Sequence, residues 1–460
     1  MTMWGKATAL ALSAVAALWT SAAIADQSDL VPDTAIHGRT LKFDWPEIEV
    51  GVGTYEAGPT GLTIIRFAHR AAVVVDSRGG APGTVNTDAM RLGYAAPHWD
   101  AVVFAGGSAY GEEAITAVAT GLKDEGIRSG AWRNVALVTG AIIYDLGGRR
   151  LNEIYPDKAL AWAALRALRP GVFPLGAQGA GRMAMQGGFF GCDAHSGEGG
   201  AFRQIGNVKV AAFVVVNASG AITDRDGNLV SCHRAASWGK LSKTAELMAN
   251  VPLSRTPTWH PPAADGEPAT RNTTISLIVT NQRLGYADLR RLAIQVHTSM
   301  ARAIQPFSTY DDGDTLFAAS TDELSDTSVS GLVLDTVASE TMWDAILASV
   351  PQEAPFNPEA SFAVPEATLQ QYVGTYRFGP HALLQVTADQ GRLMVLALAR
   401  DVFAFDGAKP VVVIPVSATE FYAPGRYRTR IAFQMEDGKT TGAVLNPGPW
   451  QQTGIRSTTP

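Results

Sequence analysis

Asn272-Thr273-Thr274-Ile275-Ser276-Leu277-Ile278-Val279-Thr280 follows a segment, Pro252 to Arg271, that holds five prolines and one glycine. The change to β-branched and apolar residues is abrupt, so a loop ends and a buried strand begins at Thr273. Two readings are open. Threonine commonly opens a strand and does nothing more. Alternatively, a cut before Thr273 would free an α-amine a few bonds from its own Oγ, with a reference pKa of about 7.7 to 8.0, supplying the base that a threonine hydroxyl lacks. Cleavage would then create nucleophile and base in one residue.

The 460-residue chain is long enough for a large core and two domains. Hydrophobic residues make up 46% and charged residues 17%, which excludes a disordered or fibrous class. A formal net charge of -6 without a long basic run argues against nucleic acid as a partner and for a small molecule or peptide as substrate. Residues 1–25 carry Lys6, an apolar run from Ala7 to Trp19 and Ala23-Ile24-Ala25 before Asp26, the pattern of a secretory signal peptide. The mature protein is therefore expected to begin near Asp26 and to be periplasmic or secreted. No other stretch approaches about 18 uninterrupted apolar residues, so no membrane span is expected after signal removal. In an oxidising compartment Cys192 and Cys232 are free to pair. With Asp193, His195 and His233 they also have the residue types of a zinc site, in no standard spacing. A disulfide, a metal site and two separate buried thiols all remain open.

Along the chain, Ile48–Gly53, Gly61–Phe67 and Ala71–Val75 read as antiparallel strands. The loop Asp76 to Thr84 that follows is rich enough in glycine and proline to let backbone approach a ligand or a second segment closely. An apolar run from Ala101 to Ala105 leads through Gly106-Gly107-Ser108-Ala109-Tyr110-Gly111 into a helix over 112–124. Ser108 is a rival nucleophile, but Tyr110 stands where the elbow of α/β-hydrolases needs glycine. A strand over 135–144, ending at Tyr144, precedes a helix over 158–168. Gly176 to Gly181 lacks the spacing of a dinucleotide site, and no cofactor is expected. A strand over 208–216 ends at Asn217, either a turn residue or an amide donor to an oxyanion. The stretch 286–304 reads as an amphipathic helix, with His297 at the edge of its apolar stripe. In Asp311-Asp312-Gly313-Asp314 an extended backbone would set Asp312 and Asp314 on one side of the chain, where two acids can hold a cationic amine; a solvated turn is the other reading. Prolines at 351, 355, 358 and 365 mark a linker over 351–366. Residues 367–460 then read as short strands and turns, a small antiparallel barrel.

These motifs occur in the order seen in the P1 family of peptidases, which includes D-stereospecific aminopeptidases/amidases, β-peptidyl aminopeptidases and the nylon-oligomer hydrolase. The resemblance rests on Val75 to Thr84, Gly106 to Gly111, Ala184 to Gly191, Val216-Asn217, Asn272-Thr273-Thr274, Ala301 to Ile304 and Asp312 to Thr315, and covers roughly residues 40 to 345. It implies an α+β fold, an αββα sandwich of the self-cleaving type over 26–350, with an α chain ending at Asn272 and a β chain starting at Thr273. It implies that Asn217 and Tyr144 surround the reacting carbonyl, that Asp312 and Asp314 stand beside the nucleophile, and that processed αβ units assemble into homo-oligomers. It calls for neither metal nor cofactor.

Two departures qualify the resemblance. Gln186 stands where the family usually has lysine, removing a positive charge for which Arg182, four residues away, is the candidate substitute. The C-terminal segment, with Tyr372-Val373-Gly374-Thr375-Tyr376, resembles the lipocalin-like barrel appended to serine β-lactamase-like hydrolases. Ser237-Trp238-Gly239-Lys240 matches the Ser-x-x-Lys of those enzymes, although Lys439-Thr440-Thr441 breaks their Lys-Thr-Gly. The expected activity is hydrolysis of short peptides or amino-acid amides through an acyl-enzyme on Thr273. An exported binding protein of the same fold and a hydrolase using Ser237 and Lys240 are the alternatives.

Overall fold

The computed structural model describes residues 27–93, 97–190, 193–232, 243–249, 272–325, 329–353, 362–399, 409–424 and 429–457. The expected signal peptide, the proline-rich stretch before Asn272, the Ser237/Lys240 pair, Cys192, His233 and the middle of the expected linker lie outside the described residues. Met1–Val31 form one unit, in which Gln27–Asp29 make a short 3-10 turn; Pro32–Pro460 form the other.

The larger unit opens with β1 (Ile48–Tyr55) and β2 (Thr60–Ser77), followed by β3 (His98–Ala105). The two expected strands Gly61–Phe67 and Ala71–Val75 are halves of the single strand β2, whose register against β3 shifts between Arg66 and Ala71. Such an irregularity bends a strand and lets its halves serve different neighbours. Helix α1 (Glu112–Asp124), strand β4 (Val138–Ile142) and helix α2 (Lys158–Arg166) come next, then β5 (Glu198–Ile205), β6 (Val208–Val215) and β7 (Ile275–Gln282). Helix α3 (Tyr286–Ser299), strand β8 (Thr315–Leu324) and helix α4 (Gly331–Ala348) complete the region.

These strands belong to a mixed 10-stranded sheet that folds over at β2. Residues 60–67 of β2 pair with β1, and residues 72–77 pair with β8. Side chains alternate across a strand, so each half has one face toward the other half and one face outward. Ile65, Phe67, Val102 and Phe104 meet Phe213, Leu277 and Phe317 in the core between the halves. On the outer face of β6, β7 and β8, α3 and α4 bury Leu289, Leu292, Val296, Leu334 and Met342 against Val210, Ala212 and Ile278. Helices α1 and α2 pack on each other and against β4 and β1. His297, expected at the edge of the α3 stripe, is instead fully buried, because its Nδ1 pairs with Asp76 Oδ2 at 2.9 Å.

Beyond the linker, helix α5 (Glu366–Tyr372) leads into nine short strands: β9 (Gly374–Gly379), β10 (Ala382–Asp389), β11 (Arg392–Ala399), β12 (Val411–Val412), β13 (Ile414–Pro415), β14 (Glu420–Ala423), β15 (Thr429–Glu436), β16 (Lys439–Leu445) and β17 (Gln452–Arg456). All pairings are antiparallel, in the order β12-β11-β10-β9-β17-β16-β15-β14-β13. The two edge strands are separated in sequence only by Val413, so the sheet curls almost closed. Gln390-Gly391 and Asp437-Gly438 each have positive φ at both residues, the conformation that suits tight hairpins and that glycine makes accessible. Inside, Tyr372 stacks on Phe433 with ring centroids 4.3 Å apart. Leu151, which precedes α2 in the chain, is buried in this same core. Among the described residues, no helix is long and apolar enough to cross a membrane, and no group of three or more metal-ligating side chains forms.

Candidate active site

Strand register gathers the candidate residues at one end of the sheet. β7 and β8 run parallel with Ile275 beside Thr315, so Thr273 and Thr274 lie alongside Gly313 and Asp314. β6 is antiparallel to β7 and its last residue, Val215, faces Ile275, which delivers Asn217 to the same place. The expected strand starts two residues late, because Thr273 and Thr274 bond to neighbouring loops as well as to the sheet.

Thr273 is buried, with 4% of its surface exposed. Its N–H donates to the Asn217 carbonyl at 2.5 Å, and its Oγ1 donates to the carbonyl oxygen of Asn272 at 2.7 Å. That carbonyl also accepts from the Gly313 N–H at 2.9 Å. A side chain at Gly313 would put its Cβ 2.7 Å from Thr273 Oγ1, so glycine there keeps the hydroxyl and the amide donor close together. The Asn272–Thr273 peptide is thus held by two donors on its oxygen and one acceptor on its nitrogen.

Asp312 and Asp314 are both buried. Asp314 accepts from the Thr274 N–H at 2.6 Å and the Ser308 N–H at 2.9 Å; Asp312 accepts from the Ser219 N–H at 3.2 Å and the Thr309 hydroxyl at 2.7 Å. Burial, and then the neighbouring Asp312 carboxylate, push the Asp314 carboxyl well above the usual carboxylate range. The glycine-rich loop after β2 lies directly on this pair: Gly79 could not carry a Cβ without meeting the Asp312 carbonyl and the Asp314 nitrogen, each at 2.3 Å. The close approach suggested by that loop is to another segment of the same chain.

Asn217 is fully buried, and its amide is oriented on both sides. Nδ2 donates to the Tyr144 carbonyl at 3.1 Å, while Oδ1 accepts from the Met185 N–H at 3.1 Å and from Arg149 Nη1. Tyr144 therefore meets Asn217 through its backbone; its hydroxyl lies against Gly147. Arg149 was not singled out in the sequence, yet it is the cation of the site. Besides Asn217 it reaches Asn272 Oδ1 and, at 2.9 Å, the Tyr144 carbonyl. The only sequence signal was an arginine pair after Gly147-Gly148, a few residues beyond Tyr144. The second arginine, Arg150, forms a fully buried ion pair with Asp145 at 3.1 Å, and Asp145 in turn accepts from Thr60 and from the Gly107 N–H. That pair fixes the loop from which Arg149 projects.

Arg182, suggested as a substitute for the missing lysine, is engaged elsewhere: it pairs with Glu56 at 2.6 Å and donates to the Pro449 carbonyl. The guanidinium beside Asn217 and Asn272 is that of Arg149, because the Asp145–Arg150 turn brings it there. Gln186 is buried and acts structurally, donating to the Ser231 carbonyl at 2.6 Å and accepting from the Ile222 N–H at 2.9 Å. Ser108 has φ +54, and among the described residues no hydrogen bond ties its hydroxyl to a histidine or an acid. Cys232 is in a disulfide. His195 stacks on Trp450 of the barrel with centroids 3.8 Å apart; burial, and then the Arg149 charge, depress its pKa to about 3, so the ring is neutral. A cavity of about 1000 Å³ is bounded by Met185 and His195 on one side and by Asn446 to Gln451 of the barrel on the other.

The model of peptidase family S58 matches residues 43–354, well over half of the chain. The chain is 40% identical over 335 residues to a 6-aminohexanoate-oligomer endohydrolase of Kocuria sp. (strain KY2), covering 69% of this chain and 88% of that protein. It is 39% identical over 338 residues to the protein of the same name from Paenarthrobacter ureafaciens, covering 70% and 89%. A solved structure, the Burkholderia sp. beta-aminopeptidase, superposes with a TM-score of 0.47 at 17% identity over 69% of this chain and 89% of that one. The protein is an enzyme that hydrolyses amide bonds. Within that class it belongs to peptidase family S58.

Proposed function

We propose that the chain is a self-cleaving N-terminal-nucleophile hydrolase with the αββα sandwich of that type, acting through Thr273. One observation carries the reading: Thr273 Oγ1 lies 2.7 Å from the carbonyl oxygen of the preceding residue, and the Gly313 N–H donates to that same oxygen. In self-cleavage Oγ attacks the Asn272 carbonyl carbon and its proton passes to the Thr273 nitrogen. The C–N bond breaks to give an ester, and water hydrolyses it to an Asn272 carboxylate and a free Thr273 amine. The Gly313 N–H is placed to hold the oxyanion of the intermediate.

In turnover the freed amine takes the Oγ proton as Thr273 attacks a substrate amide, and the amine product leaves with that proton. The second Nδ2 hydrogen of Asn217, with Tyr144 close by, stabilises the oxyanion, and water then releases the acyl group. Asp312 and Asp314 hold the backbone at Thr274 and Ser219, and after the cut orient the amine and hydroxyl. Short linear oligoamides of ω-amino acids are the first substrates to try, given the names of the relatives, before peptides and amino-acid amides. Met185 touches both Asn217 and the large cavity, which supports substrate entry from the barrel side.

The test is denaturing electrophoresis with N-terminal sequencing beside Thr273→Ala. Two fragments, the smaller beginning at Thr273 and absent from the variant, are expected. One uncut chain in both samples would overturn the mechanism. Export is proposed as well: the larger fragment, recovered outside the cytoplasm, should begin near Asp26. Sedimentation of the processed protein should give a multiple of the αβ unit.

A further inference from the structure

The barrel lies beyond the family match, which ends at residue 354, and contributes none of the residues assigned above to bond making. One of its side chains nevertheless reaches the loop that carries Arg149. Gln452, the first residue of β17, is 6% exposed. Its Oε1 accepts from the Leu151 N–H at 2.7 Å, and its Nε2 donates to the Arg149 carbonyl at 2.9 Å. A single planar amide thus pairs with the backbone two residues apart as a neighbouring strand would, fixing both the position and the tilt of the loop. The Leu151 side chain is buried in the barrel core, so the loop is gripped by side chain and backbone together. A second contact runs from Trp450 through His195, whose strand partner Met185 donates to Asn217.

We infer that Gln452 is a positioning residue for the reacting centre. The barrel holds the Arg149 loop so that the guanidinium fixes the side chains of Asn217 and Asn272 on either side of the Thr273 peptide. Self-cleavage and turnover consequently depend on a docked barrel. This rests on the reading of Thr273 as nucleophile. Without the clamp the Arg149 backbone can move by a fraction of an ångström, and an oxyanion donor displaced by that much loses much of its effect.

The experiment compares full-length wild type, Gln452→Ala, Gln452→Glu and Thr440→Val. Thr440 bonds the Gln371 carbonyl within the barrel, away from the Arg149 loop. Cleavage of fresh precursor is followed by electrophoresis, and kcat, KM and melting temperature are measured on processed enzyme with a linear 6-aminohexanoate oligomer. Gln452→Ala should slow cleavage and lower kcat by about tenfold with KM within about twofold, the pattern of a lost transition-state interaction. Thr440→Val should leave both rates unchanged, even where its melting temperature falls as far. Gln452→Glu keeps the side-chain volume and serves if the alanine variant does not fold. A protonated carboxyl can still donate to the Arg149 carbonyl and accept from Leu151, so this variant should approach wild type as pH falls. Wild-type rates in Gln452→Ala, or equal losses in Thr440→Val, would overturn the inference while leaving Thr273 standing. An uncut wild type would remove both.

Discussion

The reacting end of the large sheet and the C-terminal barrel are organised in opposite ways. At the sheet end, Asn217, Thr273 and Asp314 are each within two residues of a strand terminus, and ladder register alone brings them together. Among the described residues of the barrel no such cluster forms; its core is filled by rings such as Tyr372, Phe421 and Phe433, and its reach into the site depends on Trp450 and Gln452. Gln452 meets a partner 303 residues earlier in the chain. Neighbouring strand ends thus bring Thr273 and its hydrogen-bond partners together, whereas the backbone of Arg149 beside them also meets a side chain from the far end of the sequence.

Replacing Arg149 tests this division most severely. Arg149→Ala leaves Asn217 Oδ1 and Asn272 Oδ1 without their charged donor, and hydrogen bonds to charged groups contribute roughly 1.5–3 kcal/mol each. The expected outcome is self-cleavage slower by about 10³-fold, read by time-resolved electrophoresis. Arg149→Lys should fall between, since a single ammonium lacks the fork that spans two amides. Wild-type cleavage in Arg149→Ala would show that the strand ends suffice and that the barrel is dispensable to the chemistry.

Leu151→Ala is the next largest change. It empties a place in the barrel core from the hydrolase side and should destabilise the barrel by about 2–3 kcal/mol, measured by denaturant unfolding. If docking matters to the site, cleavage slows along with the barrel transition. A shifted barrel transition with unchanged cleavage would separate the two regions.

The same contrast explains what could be read in advance. The strand over 208–216, helix α1 and the start of α3 follow from local patterning, and the Asn217, Thr273 and Asp312–Asp314 motifs sit at element boundaries that patterning marks. The bend in β2 was missed because an alternating segment interrupted by Ala68-His69-Arg70 looks like two strands with a turn. Helix α4 passed unnoticed because it is apolar on more than one side: Leu332 and Val333 are exposed while Leu334 and Met342 are buried. Arg149 and Gln452 were illegible for a different reason. An arginine after two glycines and a glutamine near the end of the chain carry no periodic signal, and their partners, Asn217 and Asn272 for the one and the Arg149–Leu151 backbone for the other, are far away in the sequence.

Glu198, at the start of β5, gives a smaller effect confined to the hydrolase side. It is fully buried, and its carboxyl accepts from the Thr63 hydroxyl at 2.7 Å and the Gly181 N–H at 3.4 Å. Burial pushes its pKa up to about 8 against those stabilising bonds. Its folded pKa therefore exceeds its unfolded one, and between about 4.5 and 8 the folded state binds the proton more tightly. Stability from this group is fully present below that window and is lost as pH rises through it. Glu198→Gln keeps an acceptor for Thr63 and cannot ionise. Chemical denaturation from pH 5 to pH 8 should show the wild type losing at least about 1 kcal/mol more than the variant. The difference should appear in the transition of the hydrolase region and not in that of the barrel. Equal pH slopes would mean that the Glu198 carboxyl is already ionised in the fold, and an opposing positive charge would have to be sought beside it.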